Sequence, residues 1–352
     1  MWWPSSRLVG AMSGNATHRF TNVAVLTVVT VDAPEVVTSA ALDERLADTY
    51  QRVGLRAGLL ERLVGIRERR WWPEGFSFVD GAVTAGAKAL GECGLDPARV
   101  GLLVNTSVSR RFLEPSTAVS VHHGMGLPTS CQNFDVTNAC LGFVNGMELA
   151  GAMIDAGVIE YAVVVDGEDS RTVQENTIAR LSRPETTAED VMSEFAALTL
   201  GSGAVAMVLG RADRHPEGHR MVGAVTRAAT MHHDLCVGDN DVMHTDLKGL
   251  LAAGLELSEQ LWTDAATEFD WAQGMSRYVI HQISRVHTDA ICARLGIDLA
   301  RVPRTFPTRG NIGPASVPFT LATEADSLED GDRILLMGIG SGLNASCLEI
   351  VW

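Results

Sequence analysis

The residue best suited to catalysis in this sequence is a cysteine at the start of a predicted helix. Cys140 follows a strand pattern, Cys131 to Val136, and precedes a small and apolar helix pattern, Leu141 to Ala156. Unpaired backbone N–H groups and the positive end of a helix dipole favour the thiolate, the nucleophilic form of cysteine. The position predicts a nucleophile that can carry an acyl group as a thioester. The alternative is a buried small apolar side chain, the commoner role of a free cysteine.

Two polar residues in the second half of the chain can assist such a nucleophile. His281 ends a strand pattern, and α/β folds build their sites at the C-terminal ends of strands. Its imidazole can hydrogen-bond a thioester or enolate oxygen, or shuttle a proton to Cys140. Asn311 lies in a Gly-Asn-Ile-Gly-Pro turn, where its amide can donate to an enolate oxygen without ionising. A structural histidine and a turn-forming asparagine are the alternatives.

A glycine-rich segment, residues 338–344, reads Gly-Ile-Gly-Ser-Gly-Leu-Asn. Its spacing matches neither the dinucleotide nor the phosphate-loop fingerprint. The backbone N–H of Ser341 is predicted to form an oxyanion hole together with the N–H of Cys140. A close-packed turn between two strands is the alternative.

Glu114 stands between Leu113 and a proline in a stiff loop, where we expect it to be partly shielded from water. Burial raises the pKa of a carboxyl group and suits it to act as a general base. An exposed loop carboxylate beside Arg110 and Arg111 is an equal alternative.

A basic and aromatic segment in an acidic chain suggests a mouth for coenzyme A. Arg67 and Arg69 can grip phosphates, and Trp71 can stack on adenine. A solvated run of charges is the commoner explanation of such a segment.

Short strands that alternate with longer helices predict an α/β fold with largely parallel sheets. Both halves show the same order of a strand, a turn with a site residue, a second strand and a Gly-Ser-Gly segment that opens a last strand. We therefore expect two similar halves, residues 20–220 and 221–352, after an N-terminal extension, residues 1–19. Facing halves would bring Cys140 close to Asn311. Residues 234–243 are polar and are predicted to be a loop.

The bulk composition excludes several classes of partner. The 352 residues carry a formal net charge of −15 and a pI of about 5.1, so nucleic acid and anionic membranes are not expected partners. No apolar run reaches the length of a membrane span. The six cysteines are scattered without zinc-ligand spacing, which together with the lack of a signal-peptide pattern predicts a cytoplasmic protein with reduced thiols and no metal.

Cys140 in Asn-Ala-Cys, His281 in His-Gln, Asn311 in Gly-Asn-Ile-Gly-Pro-Ala-Ser and the Gly-Ser-Gly segment around Ser341 together resemble the thiolase-like condensing enzymes, with β-ketoacyl synthase III the nearest. The loop of Glu114 is similar instead to the OleA-type enzymes of bacterial olefin synthesis. The segments 164–168 and 310–318 share that similarity. The resemblance spans residues 20–352.

This resemblance implies a duplicated five-layer α/β/α/β/α fold, a homodimer, coenzyme A thioesters as substrates without a cofactor, and downstream olefin-pathway enzymes as possible partners. It makes Cys140 the acyl acceptor and His281 with Asn311 the enolate binders. Glu114 would reach the active site of the neighbouring subunit. Ile283 and Ser284 replace the Ala-Asn that follows His-Gln in synthase III, which puts a malonyl donor and carrier-protein docking in doubt.

The expected reaction is a head-to-head, non-decarboxylative Claisen condensation of two fatty acyl-CoAs to a 2-alkyl-3-oxoalkanoic acid. A fatty acyl-CoA forms its enolate by losing an α-proton, and this step requires a base such as Glu114. The alternative is a β-ketoacyl-ACP synthase III with a malonyl donor. A hydroxymethylglutaryl-CoA-synthase-like reaction and an inactive partner subunit are weaker alternatives.

Overall fold

A computed structural model describes residues 16–239 and 241–352. Residues 1–15 of the predicted extension lie outside this range. The strands are β1 Thr17–Arg19, β2 Val23–Asp32, β3 Glu35–Thr38, β4 Glu68–Trp71, β5 Leu102–Asn105, β6 Gln132–Asp135, β7 Tyr161–Glu168, β8 Gly203–Arg211, β9 His219–Ala228, β10 Cys236–Gly238, β11 Met243–Thr245, β12 Arg277–Ile280, β13 Arg333–Gly340 and β14 Asn344–Val351.

The helices pack on these strands and on one another. They are α1 Ser39–Arg45, α2 Ala47–Val53, α3 Phe78–Glu92, α4 Thr117–Gly124, α5 Gly142–Asp155, α6 Arg171–Leu181, α7 Ala188–Ser193, α8 Leu247–Ala265, α9 Arg285–Leu295, α10 Phe306–Arg309 and α11 Ser316–Glu324. A π-helical turn spans Leu60–Val64.

The main sheet consists of two similar half-sheets joined at their edges. The first has the order β6-β5-β7-β8-β2, and the second has the order β12-β13-β14-β9. The first half begins with three parallel strands, β6, β5 and β7, and the second begins with two, β12 and β13; antiparallel neighbours follow in each half. Strands β2 and β9 join the halves antiparallel. The repeated strand order gives the internal similarity of the sequence a structural counterpart.

Helices α5 and α11 lie between the half-sheets, because each contacts strands of both halves. Small and apolar side chains let them pack there, and their core includes Phe143, Met147 and Phe319. Helix α3 covers the outer face of the first half-sheet, and α8 with α9 covers that of the second. The molecule therefore has the predicted α/β/α/β/α layers.

Two details near the sheet differ from a simple reading of the sequence. Residues 234–243 were expected to form a loop, but they contain β10 and lead into β11, which pairs with it. Strand β1 pairs with β9, so residues 17–19 belong to the sheet. The division at residue 220 stays a prediction, and this position lies inside β9.

Candidate active site

The turn that carries Cys140 links β6 to α5. Ala139 has a φ of +45°, a conformation that non-glycine residues rarely adopt. Such strain is retained where the surrounding structure requires a specific backbone direction. Helix α5 begins at Gly142, two positions after the cysteine, so Cys140 lies just ahead of the first helical turn.

Burial changes the expected ionisation of the nucleophile. The pKa of Cys140 is raised to about 12, chiefly because burial disfavours the thiolate and further because Cys236, Glu168 and Asp166 lie nearby. Burial therefore opposes the thiolate that the helix terminus is expected to favour. The thiol has to lose its proton as it attacks the substrate.

The glycine-rich segment packs directly on the nucleophile turn. A Cβ added at Gly340 would lie 2.6 Å from the backbone oxygen of Asn138 and 3.1 Å from the nitrogen of Leu141. Asn344 Nδ2 donates to Asn138 Oδ1 at 3.1 Å. Among the described residues, neither the N–H of Cys140 nor that of Ser341 donates to a protein acceptor, so both remain available to a developing oxyanion.

His281 follows the last residue of β12, and its backbone N–H donates to the oxygen of Met337 in β13. His281 is 3% exposed, and its Nδ1 has no hydrogen-bond partner among the described residues. Burial, with a smaller contribution from His287, lowers the pKa of His281 to about 3. The imidazole is therefore neutral at physiological pH, which suits a hydrogen-bond donor better than a strong base.

Asn311 is fixed by its backbone and by its side-chain oxygen. Its N–H donates to Thr199 O and its own carbonyl accepts from Gly201 N. Its Oδ1 accepts from Gly313 N at 3.0 Å and from Ser316 Oγ at 3.4 Å. Because the oxygen is engaged, Nδ2 is the free end of the amide among the described residues, and it can donate to a negatively charged oxygen. The adjoining turn packs on α5 and β7.

Glu114 is exposed in the single chain, and the expected shielding of this carboxylate is wrong within one protomer. Its loop also exposes apolar side chains, since Phe112 is 57% and Leu113 97% exposed. Exposure of large apolar side chains to water is unfavourable, so the loop has the properties of a surface that another protein covers.

The expected coenzyme A patch is largely internal. Arg69 is fully buried and its guanidinium donates to Ser39 Oγ, Val37 O and Leu198 O. Trp71 is 6% exposed and donates to Gln174. Both side chains are engaged in packing, so the prediction that they bind coenzyme A is wrong. Arg67 is exposed and remains available.

Two acidic residues near the nucleophile were not selected from the sequence. Asp166 and Glu168 lie in β7, whose side chains are all buried. The signal was present, because carboxylates inside a buried central strand need special partners. Among the described residues, no group of three or more His, Cys, Asp or Glu side chains can hold a metal ion. No described helix is long and apolar enough to cross a membrane.

The chain is similar to known proteins over most of its length. The family description 3-oxoacyl-[acyl-carrier-protein] synthase III matches residues 134–229, and its C-terminal counterpart matches residues 272–352. An acyl-CoA:acyl-CoA alkyltransferase of Xanthomonas campestris is 45% identical over 95% of this chain and 99% of the relative. One of Shewanella oneidensis is 35% identical over 91% of this chain and 96% of the relative.

The chain belongs to the acyl-CoA:acyl-CoA alkyltransferase family. A crystal structure of Xanthomonas campestris OleA with bound lauric acid and lauroyl-CoA superposes with a TM-score of 0.93 at 44% identity, covering 95% of this chain and 100% of that one. The predicted thiolase-like fold and the expected resemblance to condensing enzymes are thereby confirmed. Alkyltransferases of this family are acyltransferases of the thiolase superfamily, so the chain is an enzyme.

Proposed function

We propose that this enzyme joins two fatty acyl-CoAs head to head and releases a 2-alkyl-3-oxoalkanoic acid, a precursor in long-chain olefin synthesis. The observation that carries the proposal is the exposed Glu114 loop, in a chain that also contains Cys140, His281 and Asn311. A malonyl donor forms its enolate by losing carbon dioxide. A plain acyl-CoA needs a carboxylate to remove an α-proton, and the loop supplies one.

The first half-reaction loads the enzyme. Cys140 Sγ attacks the acyl carbonyl while the N–H groups of Cys140 and Ser341 hold the oxyanion. The carbon–sulfur bond to coenzyme A breaks, and the thiol proton is passed through His281 to the departing coenzyme A sulfur. Neutral His281 can accept this proton only transiently, because burial makes its cation unfavourable.

The second half-reaction forms the carbon–carbon bond. Glu114 of the partner subunit removes the α-proton of a second acyl-CoA, while His281 and Asn311 Nδ2 bind the enolate oxygen. The enolate carbon attacks the Cys140 thioester, and the departing cysteine sulfur takes up a proton. Water then hydrolyses the 2-alkyl-3-oxoacyl-CoA, so that two acyl-CoAs and one water yield the acid and two molecules of coenzyme A.

A homodimer is part of this proposal. Strand β6 pairs with β5 and is the last strand on its side of the described sheet, which leaves an edge for another chain. The exposed Phe112 and Leu113 beside Glu114 would be covered by the same contact. An enzyme assembled in this way is complete only as a dimer, since each base acts in the neighbouring subunit.

The coenzyme A mouth is proposed at exposed arginines near the segments of His281 and Asn311. Arg67 donates its backbone N–H to Pro307 O, and Arg285 donates to Arg62 O at 3.3 Å. None of Arg62, Arg67 and Arg285 forms an ion pair with a described residue, so their charges can serve phosphates. We also propose a cytoplasmic location, consistent with six free cysteines, and downstream olefin-pathway enzymes as partners.

The test separates the half-reactions. Purified enzyme receives one fatty acyl-CoA, and mass spectrometry follows the acylated Cys140 and the 3-oxo acid. Glu114→Ala is expected to be acylated normally but to lose condensation, whereas the control Glu185→Ala, at another exposed loop glutamate, keeps both steps. Product formation only with a malonyl thioester would favour the synthase III alternative. Full condensation by Glu114→Ala would remove the assigned base.

A further inference from the structure

A buried glutamate that the proposed steps do not use holds the start of the Glu114 loop. Glu168, at the end of β7, is 7% exposed. Its carboxylate accepts hydrogen bonds from Val108 N at 2.6 Å, from Ser109 N at 3.1 Å and from Ser109 Oγ at 2.5 Å. Glu114 follows Ser109 by only five positions, so these bonds fix the point from which its loop departs.

The same glutamate adjoins the turn of the enolate-binding amide. A Cβ added at Gly313, two positions after Asn311, would lie 3.5 Å from the carboxyl carbon of Glu168. Ser109 is held from a second direction as well, because its Oγ accepts from Asp169 N at 3.0 Å. Glu168 therefore contacts the start of the Glu114 loop, whose base acts in the neighbouring subunit, and the turn of Asn311, which serves its own subunit.

The chemical setting of Glu168 is unusual for a residue that only stabilises a fold. No described lysine or arginine forms an ion pair with it, and its charge is balanced by backbone N–H groups and a hydroxyl. Asp166, also buried, accepts from Thr106 Oγ1 at 2.6 Å. Burial raises the pKa of Glu168 to about 7 and that of Asp166 well above its usual range. Apolar residues would fill such a site at lower cost in stability.

We propose that Glu168 is a positioning residue for the condensation step. It anchors the 108–116 segment so that the Glu114 carboxylate reaches the correct position in the neighbouring active site. The proposal rests on the proposed function, because it requires Glu114 to be the base. A different role is a proton acceptor for Cys140, since Glu168 lies close enough to raise the pKa of that thiol. That role would act in acylation instead.

Glu168→Gln separates the two roles, because glutamine preserves the shape but turns one acceptor oxygen into a donor facing the Ser109 donors. We expect the dimeric variant to be acylated on Cys140 within twofold of the wild-type rate in single-turnover mass measurements. Condensation is expected to fall on the order of 10²-fold, as for a misplaced catalytic group. The double variant Glu114→Ala/Glu168→Gln should condense no more slowly than Glu114→Ala.

The matched control is Glu349→Gln, since Glu349 is 3% exposed and accepts from Trp271 and Arg333 in the other half-sheet. It should lower the melting temperature but leave the ratio of condensation to acylation unchanged. If Glu168→Gln does not fold, Ser109→Ala replaces it, with condensation reduced several-fold and acylation retained.

The pH profile gives an independent readout. Wild-type condensation should fall as the pH drops through about 7, because a protonated Glu168 accepts fewer hydrogen bonds, while acylation should not follow this titration. The ionisable groups that influence or face this carboxyl are Asp166, Asp169 and Cys140. Ser109→Ala should alter the profile, whereas Glu349→Gln should not.

Normal condensation by Glu168→Gln, in an enzyme that Glu114→Ala inactivates, would overturn the anchoring role alone. Equal losses in acylation and condensation would overturn it in favour of an action at Cys140. Full condensation by Glu114→Ala would instead remove the proposed function on which the anchor depends.

Discussion

Replacing Gly340 by alanine tests whether the glycine-rich segment and the nucleophile turn form one oxyanion hole. The added methyl would lie 2.6 Å from Asn138 O, with the nitrogen of Leu141 at 3.1 Å. Both neighbours are backbone atoms, so no flexible side chain can move aside. The segments have to separate by about 0.8 Å to reach the 3.4 Å of an ordinary contact.

A displacement of this size moves the N–H of Ser341 away from the N–H of Cys140. Misplacing catalytic groups by about 1 Å costs on the order of 10²-fold in rate, or about 2.7 kcal/mol of transition-state stabilisation. We expect acylation of Cys140 to slow by that factor, with a loss of folding stability of about 1–3 kcal/mol from overpacking.

The assay is rapid-quench mass spectrometry of the acyl-enzyme after mixing with one equivalent of a fatty acyl-CoA. Thermal melting confirms that the variant is folded. Gly91→Ala is the matched control, because no described atom beyond the surrounding turns of helix α3 lies within 4 Å of the added Cβ. It should stabilise the protein by about 0.5–1 kcal/mol. A folded Gly340→Ala enzyme that is acylated at the wild-type rate would refute the assigned oxyanion hole.

Two further predictions concern charges. Arg69→Ala should cost about 3–5 kcal/mol in the free energy of unfolding, measured in urea, because it leaves the buried groups around the guanidinium without a partner. Arg67→Ala should stay within about 0.5 kcal/mol and raise the KM for acyl-CoA; equal destabilisation by both would contradict the distinction. Burial raises the pKa of Glu148 above its usual 4.5, so folding favours the protonated carboxyl. The stability of the wild type relative to Glu148→Gln should therefore be greatest below pH 4.5 and decline as the pH rises through the raised pKa. A pH-independent difference between their urea midpoints would show that folding does not change the pKa of Glu148.

The chemistry of the site was accessible in the sequence because local patterns encode it. Strand and helix periodicities place Cys140 and His281 at element ends, and the glycines around Asn311 and Ser341 indicate close turns. The alternation of elements and the repeated Gly-Ser-Gly segment likewise predict a duplicated α/β fold. These signals depend on residues that are near one another in the chain.

The ionisation and accessibility of the same residues were decided only by tertiary structure. Arg69 and Trp71 form a basic aromatic segment in sequence, yet packing against residues around positions 174 and 198 buries both. Cys140 lies just ahead of a helix, yet burial raises the pKa of its thiol. Glu168 gains its relation to the Glu114 loop from the pairing of β5 with β7. Desolvation and contact depend on which distant segments the fold brings together, and no local pattern records that.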